Sequence, residues 1–342
     1  MIAPYVLSNV TAALILLALA LGALTVRRDP RWRAAAIQLW RRRRWALGAI
    51  AIYLTVGLLD SIAWIGGARP TSDTDLVALH RPRSVVDRMF PADFRERSYS
   101  APLASVEFYG SAPLRFPGRH LLGTDILGRD VLLQMLKGVR VALTIGGFAS
   151  VVVIPLALAA GMSAGYFGRR VDDAVFFLIS TLASIPSLLL LIALVMALGR
   201  GTLQVCLALG ITSWVGLARV VRGETFKLRE LDYVAAAKVL GAGHWYILRR
   251  HILPNLAHLV VITGVLLFSR LVLQEAVLSW LGIGIDGSWG QMIDQARDEL
   301  ARDPVIWWNL SAASVALFGL ILSVNVLADA VRDVLDPRTL RE

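Results

Sequence analysis

The stretch YVAAAKVLGAGHWYILRRHILPN, Tyr233 to Asn255, decides how this chain is organised. It forms the centre of a charged loop, residues 219–255, set between apolar runs that are each long enough to cross a bilayer. Asp232 is placed to cap a short helix through Leu240, Gly241 and Gly243 to break it, and a second amphipathic segment to run from His244 to His251 before Pro254. The spacing predicts a helix, a glycine break and a second helix lying on the membrane face. Ala235, Ala236 and Ala237 leave a backbone open to close approach, and Val234, Val239, Leu240, Trp245 and Ile247 offer apolar contacts. Such a surface suits docking of another protein.

The composition supplies the setting. Of 342 residues, 56% are hydrophobic and only 18% are charged, against roughly 25% charged in soluble domains, so the expectation is an all-α integral membrane protein. The formal charge of +10 would suit nucleic acid, but the basic residues collect beside apolar runs, as they do when they orient a membrane protein. No nucleic-acid partner is expected. Cys206 is the only cysteine, so one chain builds neither a disulfide framework nor a thiolate metal site.

Seven spans are predicted. The first, residues 7–26, is charge-free and followed by eight arginines between Arg27 and Arg44, which favours a retained helix with its N-terminus outside over a cleaved signal peptide. The cluster from Arg41 to Arg44 then meets anionic membrane lipid at the cytoplasmic face. The second span, 45–64, has tryptophans at both ends, and a polar, proline-punctuated external excursion follows to about Lys137. Spans at 141–165, 174–198, 202–218, 256–283 and 306–328 complete the set, with the docking loop cytoplasmic. The corresponding divisions are 1–44 (extra span and basic linker), 45–137 (span and external segment), 138–332 (the main membrane domain) and a tail, 333–342.

Within the excursion lies HLLGTDILGRDVLLQMLKGVRVALTIG, from His120 to Gly146. Thr124 or Asp125 is placed to cap an interfacial amphipathic helix, with Arg129, Asp130 and Lys137 on its wet face and Leu132, Leu133 and Leu136 on its apolar one. Polar groups inside spans are the other candidates, because a charge in hydrocarbon normally faces protein or a water-filled path. Arg270, Gln274 and Glu275 sit on the sixth span, and Glu275 either lines a pathway or bonds a neighbouring helix. GMSAG, Gly161 to Gly165, fits the G-x-S-x-G of a serine hydrolase and equally the G-x-x-x-G of close helix packing; its place inside an apolar helix favours packing. Only Lys137, Lys227 and Lys238 are present, and none follows a phosphate-binding glycine loop, so any ATP must be bound elsewhere.

Three stretches carry a resemblance. The Ala-Ala, Gly and Leu-Pro spacing of the docking loop, with its ending RHILPN, resembles the EAA loop of ABC importer permeases of the dipeptide, oligopeptide and nickel branch. LGTD-x-x-GRD, with Gly123, Thr124, Asp125, Gly128, Arg129 and Asp130, and QEAVLSWLGIG, from Gln274 to Gly284, are similar to further segments of that branch. The resemblance implies a type I importer helix bundle of six helices, here with one extra N-terminal span, in a bacterial inner membrane. It implies that Ala235, Ala236, Ala237, Gly241, Trp245, Leu253 and Pro254 form a coupling helix docked on an ATP-binding subunit, and that the LGTD segment braces an external gate. The expected partners are a homologous second permease, two ATP-binding subunits that hold ATP and magnesium, and an external solute-binding protein. The chain itself is expected to be no enzyme and to bind no cofactor. Two departures stand out: Ala235 replaces the family's usual Glu, with Glu224 or Glu230 as possible substitutes, and SWGQM at Ser288 lacks the family's proline. Dipeptide, oligopeptide, peptide-like antibiotic and nickel all remain open as solutes, and a carrier or structural membrane subunit that needs no ATPase is the alternative.

Overall fold

A computed structural model describes residues 9, 43–64, 83–91 and 93–335. In chain order its elements are α1 (Arg44–Ser61), the antiparallel pair β1 (Ala63–Trp64) and β2 (Arg83–Ser84), α2 (Val85–Met89), α3 (Val131–Phe167), α4 (Arg169–Ser184), α5 (Ser187–Leu198) and α6 (Thr202–Arg229). The short α7 (Asp232–Val239) and α8 (His244–Ile247) follow, then a π-helical turn over Leu248–Ile252, α9 (Leu253–Trp280), α10 (Trp289–Leu300) and α11 (Trp308–Leu335). The all-α expectation therefore holds.

Four helical runs are long and apolar enough to cross a membrane: α3, α6, the run His244–Trp280 and most of α11. The pair α4 and α5 makes a fifth if counted as one span. Among the described residues the count is thus four or five, against the seven read from the sequence. The first predicted span lies outside the described residues except for Asn9, whose side-chain amide exchanges two hydrogen bonds with the backbone of Ala63. The second corresponds to α1, whose 18 residues carry Arg44 and Asp60 near their ends and fall short of a full apolar span.

The predicted span at 174–198 is broken, because α4 and α5 meet at 89°. Pro186 explains the break: it has no N–H to continue the ladder, and it holds Ile185 in extended backbone at φ −91°, ψ 130°. The fifth predicted span, 202–218, by contrast, is too short. Helix α6 carries on through the charged residues to Arg229, since Arg, Lys and Glu are good helix formers and their charge ends the apolar run without ending the helix. Among the described residues, 120–130 form no helix of their own ahead of α3. That helix runs 37 residues without interruption, roughly 55 Å, well beyond the ~30 Å of a hydrocarbon core.

The chain divides into two compact units, residues 1–144 with 279–327 and residues 145–278 with 328–342. In the first, the N-terminal turns of α3 hold charges that the sequence places in water. Lys137 instead pairs with Asp87 at 2.6 Å and Arg140 with the fully buried Asp60 at 3.0 Å, while Ser84 donates to Asp60 at 2.7 Å. Trp289 packs against Gly138, where no side chain interferes, and donates to the carbonyl of Met135 at 2.9 Å. In the second unit, α3 and α6 approach closely at Gly161 and Gly165: a β-carbon on either would lie 2.7–2.8 Å from a carbonyl oxygen of Ala218 or Arg222. The GMSAG run is therefore a helix-packing motif. Ser163 turns its hydroxyl back to Ala160 within the helix at 3.0 Å, which is no nucleophile elbow.

Candidate functional site

The docking loop belongs to the second unit. Helix α7 starts behind Leu231, so Asp232 occupies its first turn and is not the cap predicted for it; there the carboxylate still complements the helix dipole. Gly241 ends the helix with φ +80°, and its N–H and that of Ala242 return to the carbonyls of Lys238 and Ala237, each at 3.0 Å. A β-carbon at Gly241 would meet nothing within 4 Å, so the demand on this position comes from the backbone angle alone. The second helix does not stop at Pro254. The N–H of Leu253 reaches back five residues to Leu248, and this wide turn admits the proline ring and delivers the chain directly into α9.

Side chains sort cleanly between anchor and face. Val234 and Ile247 are fully buried, while Val239, Leu240 and Trp245 are 88%, 86% and 73% exposed. Ala235, Ala236, Gly241 and Pro254 are exposed, with Ala237 and Leu253 half-buried. The loop is tied to the spans behind it. The hydroxyl of Tyr166 lies 3.0 Å from Nδ1 of His244, the ammonium of Lys238 sits over the Tyr166 ring at 5.4 Å, and Arg229 donates to the carbonyl of Gly165 at 3.1 Å. Arg222 grips Asp172 through two hydrogen bonds. Glu224 and Glu230 are engaged by Lys227 and Arg229, at 2.9 and 2.7 Å. An exposed apolar surface presented on so braced a turn is shaped to be covered.

The LGTD segment belongs to the first unit and forms a buried polar knot. Thr124 donates to the carbonyl of Ser98 at 2.8 Å and accepts from the N–H of Ser100 at 2.6 Å, while its own carbonyl accepts from Trp308 at 3.0 Å. Asp125 accepts from the backbone of Leu127 and Arg129 and from the Arg129 guanidinium at 2.7–2.9 Å. Neither residue caps a helix, contrary to the sequence reading. Asp130 does so, accepting from the N–H of Leu133 at 2.8 Å, because the helix starts only at Val131. Gly123 and Gly128 both have positive φ, and a β-carbon on Gly128 would strike the carbonyl of Glu96. His120 completes the knot, its ring 2.8 Å from Asp130, 3.2 Å from Glu96 and stacked on Phe94.

Of the polar residues on α9, Glu275 is buried, Gln274 accepts from Ser213 at 3.2 Å, and Arg270 is exposed. The helix thus turns Arg270 and Glu275 to different surroundings.

The family described as the binding-protein-dependent transport system inner membrane component matches residues 157–341, which include the entire docking loop. The chain belongs to this family. It is 34% identical over 225 residues to the dipeptide transport system permease protein DppC of Bacillus subtilis (strain 168), covering 65% of this chain and 70% of that one. The glutathione transport system permease protein GsiD of Pectobacterium atrosepticum is 35% identical over 64% of this chain and 73% of its own. A putative peptide transport system permease protein of Brucella suis is 38% identical over 67% and 78%. Among solved structures, inward-facing forms of the MetNI methionine ABC transporter align with a TM-score of 0.48 at 20% identity, over 60% of this chain and 98% of that one.

The chain is accordingly a multi-pass permease component of a binding-protein-dependent ABC importer. Within this permease several contacts of the loop and of the polar knot escape sequence reasoning. Tyr166 looks like one more aromatic residue at the end of a span, and only its contacts with His244 and Lys238 give it a part in the loop. Glu96 and Trp308 carry no local signal, since their partners lie 24 and 184 residues away.

Proposed function

We propose that this permease is one half of the membrane pathway of an ATP-driven importer for di- and oligopeptides or related small solutes, working in a bacterial inner membrane. The observation that carries the reading is the braced, exposed apolar face of Val239, Leu240 and Trp245 on the docking turn. In this reading an ATP-binding subunit covers that face, and ATP and magnesium stay on the two ATP-binding subunits. A homologous second permease supplies the other half of the pathway, and an external solute-binding protein delivers the solute. The relatives named for dipeptide, peptide and glutathione transport support a peptide-like solute. The residues 235–254 transmit the ATPase movement, and the rigid LGTD knot braces the external side. Eight arginines between Arg27 and Arg44 favour a cytoplasmic position for that segment, and in this reading the docking turn lies on the same side, which requires α1 to cross the membrane.

Copurification is the direct test. The chain, expressed with its neighbouring reading frames and extracted in mild detergent, should bring ATP-binding subunits with it, and reconstituted vesicles should take up a dipeptide only when ATP is supplied. Recovery of the chain without any ATPase, or uptake that proceeds equally without ATP, would overturn the reading.

A further inference from the structure

Residues 93–97 and the hairpin closed by Val106 and Pro113 enclose a half-open cavity of about 600 Å³. This lies within the roughly 300–1,000 Å³ usual for small-ligand sites, and the apolar residues of the lining are Ala112 and Pro113. The rest is charged. Two of its acids are already committed: Glu96 accepts from the backbone of Arg115 and Phe116 at 2.8 Å, and Asp93 holds the Arg115 guanidinium at 2.6 Å. Arg95, Arg97 and Glu107 remain, and none has a side-chain hydrogen bond or ion pair among the described residues.

Arg95 pairs with Arg129 as an isolated bridge. The side chain of Glu96 is turned into the protein, 3% exposed, while Arg95 and Arg97 are exposed. Two unspent guanidiniums thus come from one lining segment and one unspent carboxylate from the other. Guanidinium forks match carboxylates with two parallel hydrogen bonds, and a free carboxylate matches an ammonium.

We propose that this cavity is a binding site for a short zwitterionic peptide, its terminal carboxylate held by Arg95 and Arg97 and its terminal ammonium by Glu107. The inference rests on the peptide-import reading above and adds a site on the segment predicted to be external. The charged groups of the site read the two termini of the peptide. Its partial exposure to water keeps the affinity low, which suits transient capture.

The test is a titration of the purified full chain in nanodiscs with L-alanyl-L-alanine, its C-terminal amide and its N-acetyl derivative. The free dipeptide should bind at least about tenfold more tightly than either blocked form, since each blocked form lacks one charge-assisted contact. Arg95→Gln and Arg97→Gln should weaken the free dipeptide by a similar factor. Glu107→Gln should weaken the free dipeptide and leave the N-acetyl form unchanged. Equal binding of the amide, displacement by an equal concentration of acetate, or unaltered binding in the two arginine variants would overturn the proposal. So would variants that lose only the stimulation of ATPase activity by the solute-binding protein, an outcome that assigns the arginines to an acidic protein surface. Uptake by the reconstituted transporter separates the two readings: ATP-driven dipeptide uptake without binding at the cavity sinks this inference alone, and cavity binding without ATP-driven uptake sinks the transport reading alone.

Discussion

The hydroxyl of Tyr166, one residue from the end of α3, lies 3.0 Å from Nδ1 of His244 at the start of α8, although 78 residues separate them. Lys238 of α7 covers the same tyrosine ring, so both short helices of the docking turn bear on one side chain of a span. A push on the turn therefore reaches α3 directly.

Tyr166→Phe keeps the ring and removes the hydrogen bond, a loss of about 1 kcal/mol that the helical spans should withstand. The expected outcome is a permease that inserts and assembles normally but moves several-fold less solute per ATP hydrolysed. The measurement is the ratio of uptake to phosphate release in reconstituted vesicles. An unchanged ratio would show that the contact merely packs the loop.

Glu299 makes a prediction about pH. It is 1% exposed on α10, takes Asn309 Nδ2 at 3.4 Å on Oε1, and has no donor on Oε2. Burial pushes its carboxyl above the ordinary 4.5, and the hydrogen bond from Asn309 only partly opposes that. Tyr99 nearby is itself pushed up to about 12, by burial first and then by the charge of Glu299. An acid whose folded pKa is raised binds more protons folded than unfolded. Its contribution is complete below 4.5 and declines as pH rises through the folded value. Thermal stability of the detergent-solubilised chain should therefore fall as pH rises above the ordinary 4.5. Glu299→Gln, which imitates the neutral acid, should flatten that decline. A parallel decline in both proteins would assign the pH dependence to other groups.

What was legible in the sequence follows from the physics of each feature. Apolar runs reveal α3, α6, α9 and α11 because a bilayer needs about twenty such residues in a row. Their ends were harder to read, since polarity marks where the membrane stops and Arg219 to Arg229 stay helical beyond that point. The break at Pro186 had a local signal, but the continuous apolar composition of 174–198 concealed it. The glycine turn at Gly241 was legible because a positive φ has few residues to choose from. The polar knot was not. His120 finds Glu96 and Asp130, and Trp308 finds Thr124, through folding of an irregular segment that has no period to betray it.

Glu275 tests the interior. Its side chain is 3% exposed in the single chain, so a charge there depends on its surroundings in protein. Glu275→Gln retains the shape and removes the charge. If the carboxylate faces the solute pathway, uptake should fall by roughly an order of magnitude while the complex is still recovered. Failure to recover the complex instead would place Glu275 in helix packing, and full uptake would remove it from both roles.

The docking turn itself gives the sharpest prediction. Gly241 occupies a left-handed conformation that costs a residue with a β-carbon roughly 1–2 kcal/mol, yet the space around it is empty within 4 Å. Gly241→Asp should therefore leave the spans folded and inserted, for its side chain meets no neighbour. What changes is the face beyond it, where Leu240 is 86% exposed: the turn is strained, and a charge now stands beside apolar residues that a partner must desolvate. ATP-driven uptake should be lost and recovery of ATP-binding subunits reduced at least about tenfold, with membrane levels of the chain unchanged. Ala235→Glu is the complementary variant. Glu224 and Glu230 are held by Lys227 and Arg229, so a new carboxylate at 235, on the exposed side of α7, is free to meet a basic group on the partner and should be tolerated or should strengthen docking. Normal uptake and normal recovery of the ATPase with Gly241→Asp would remove the coupling role from this turn.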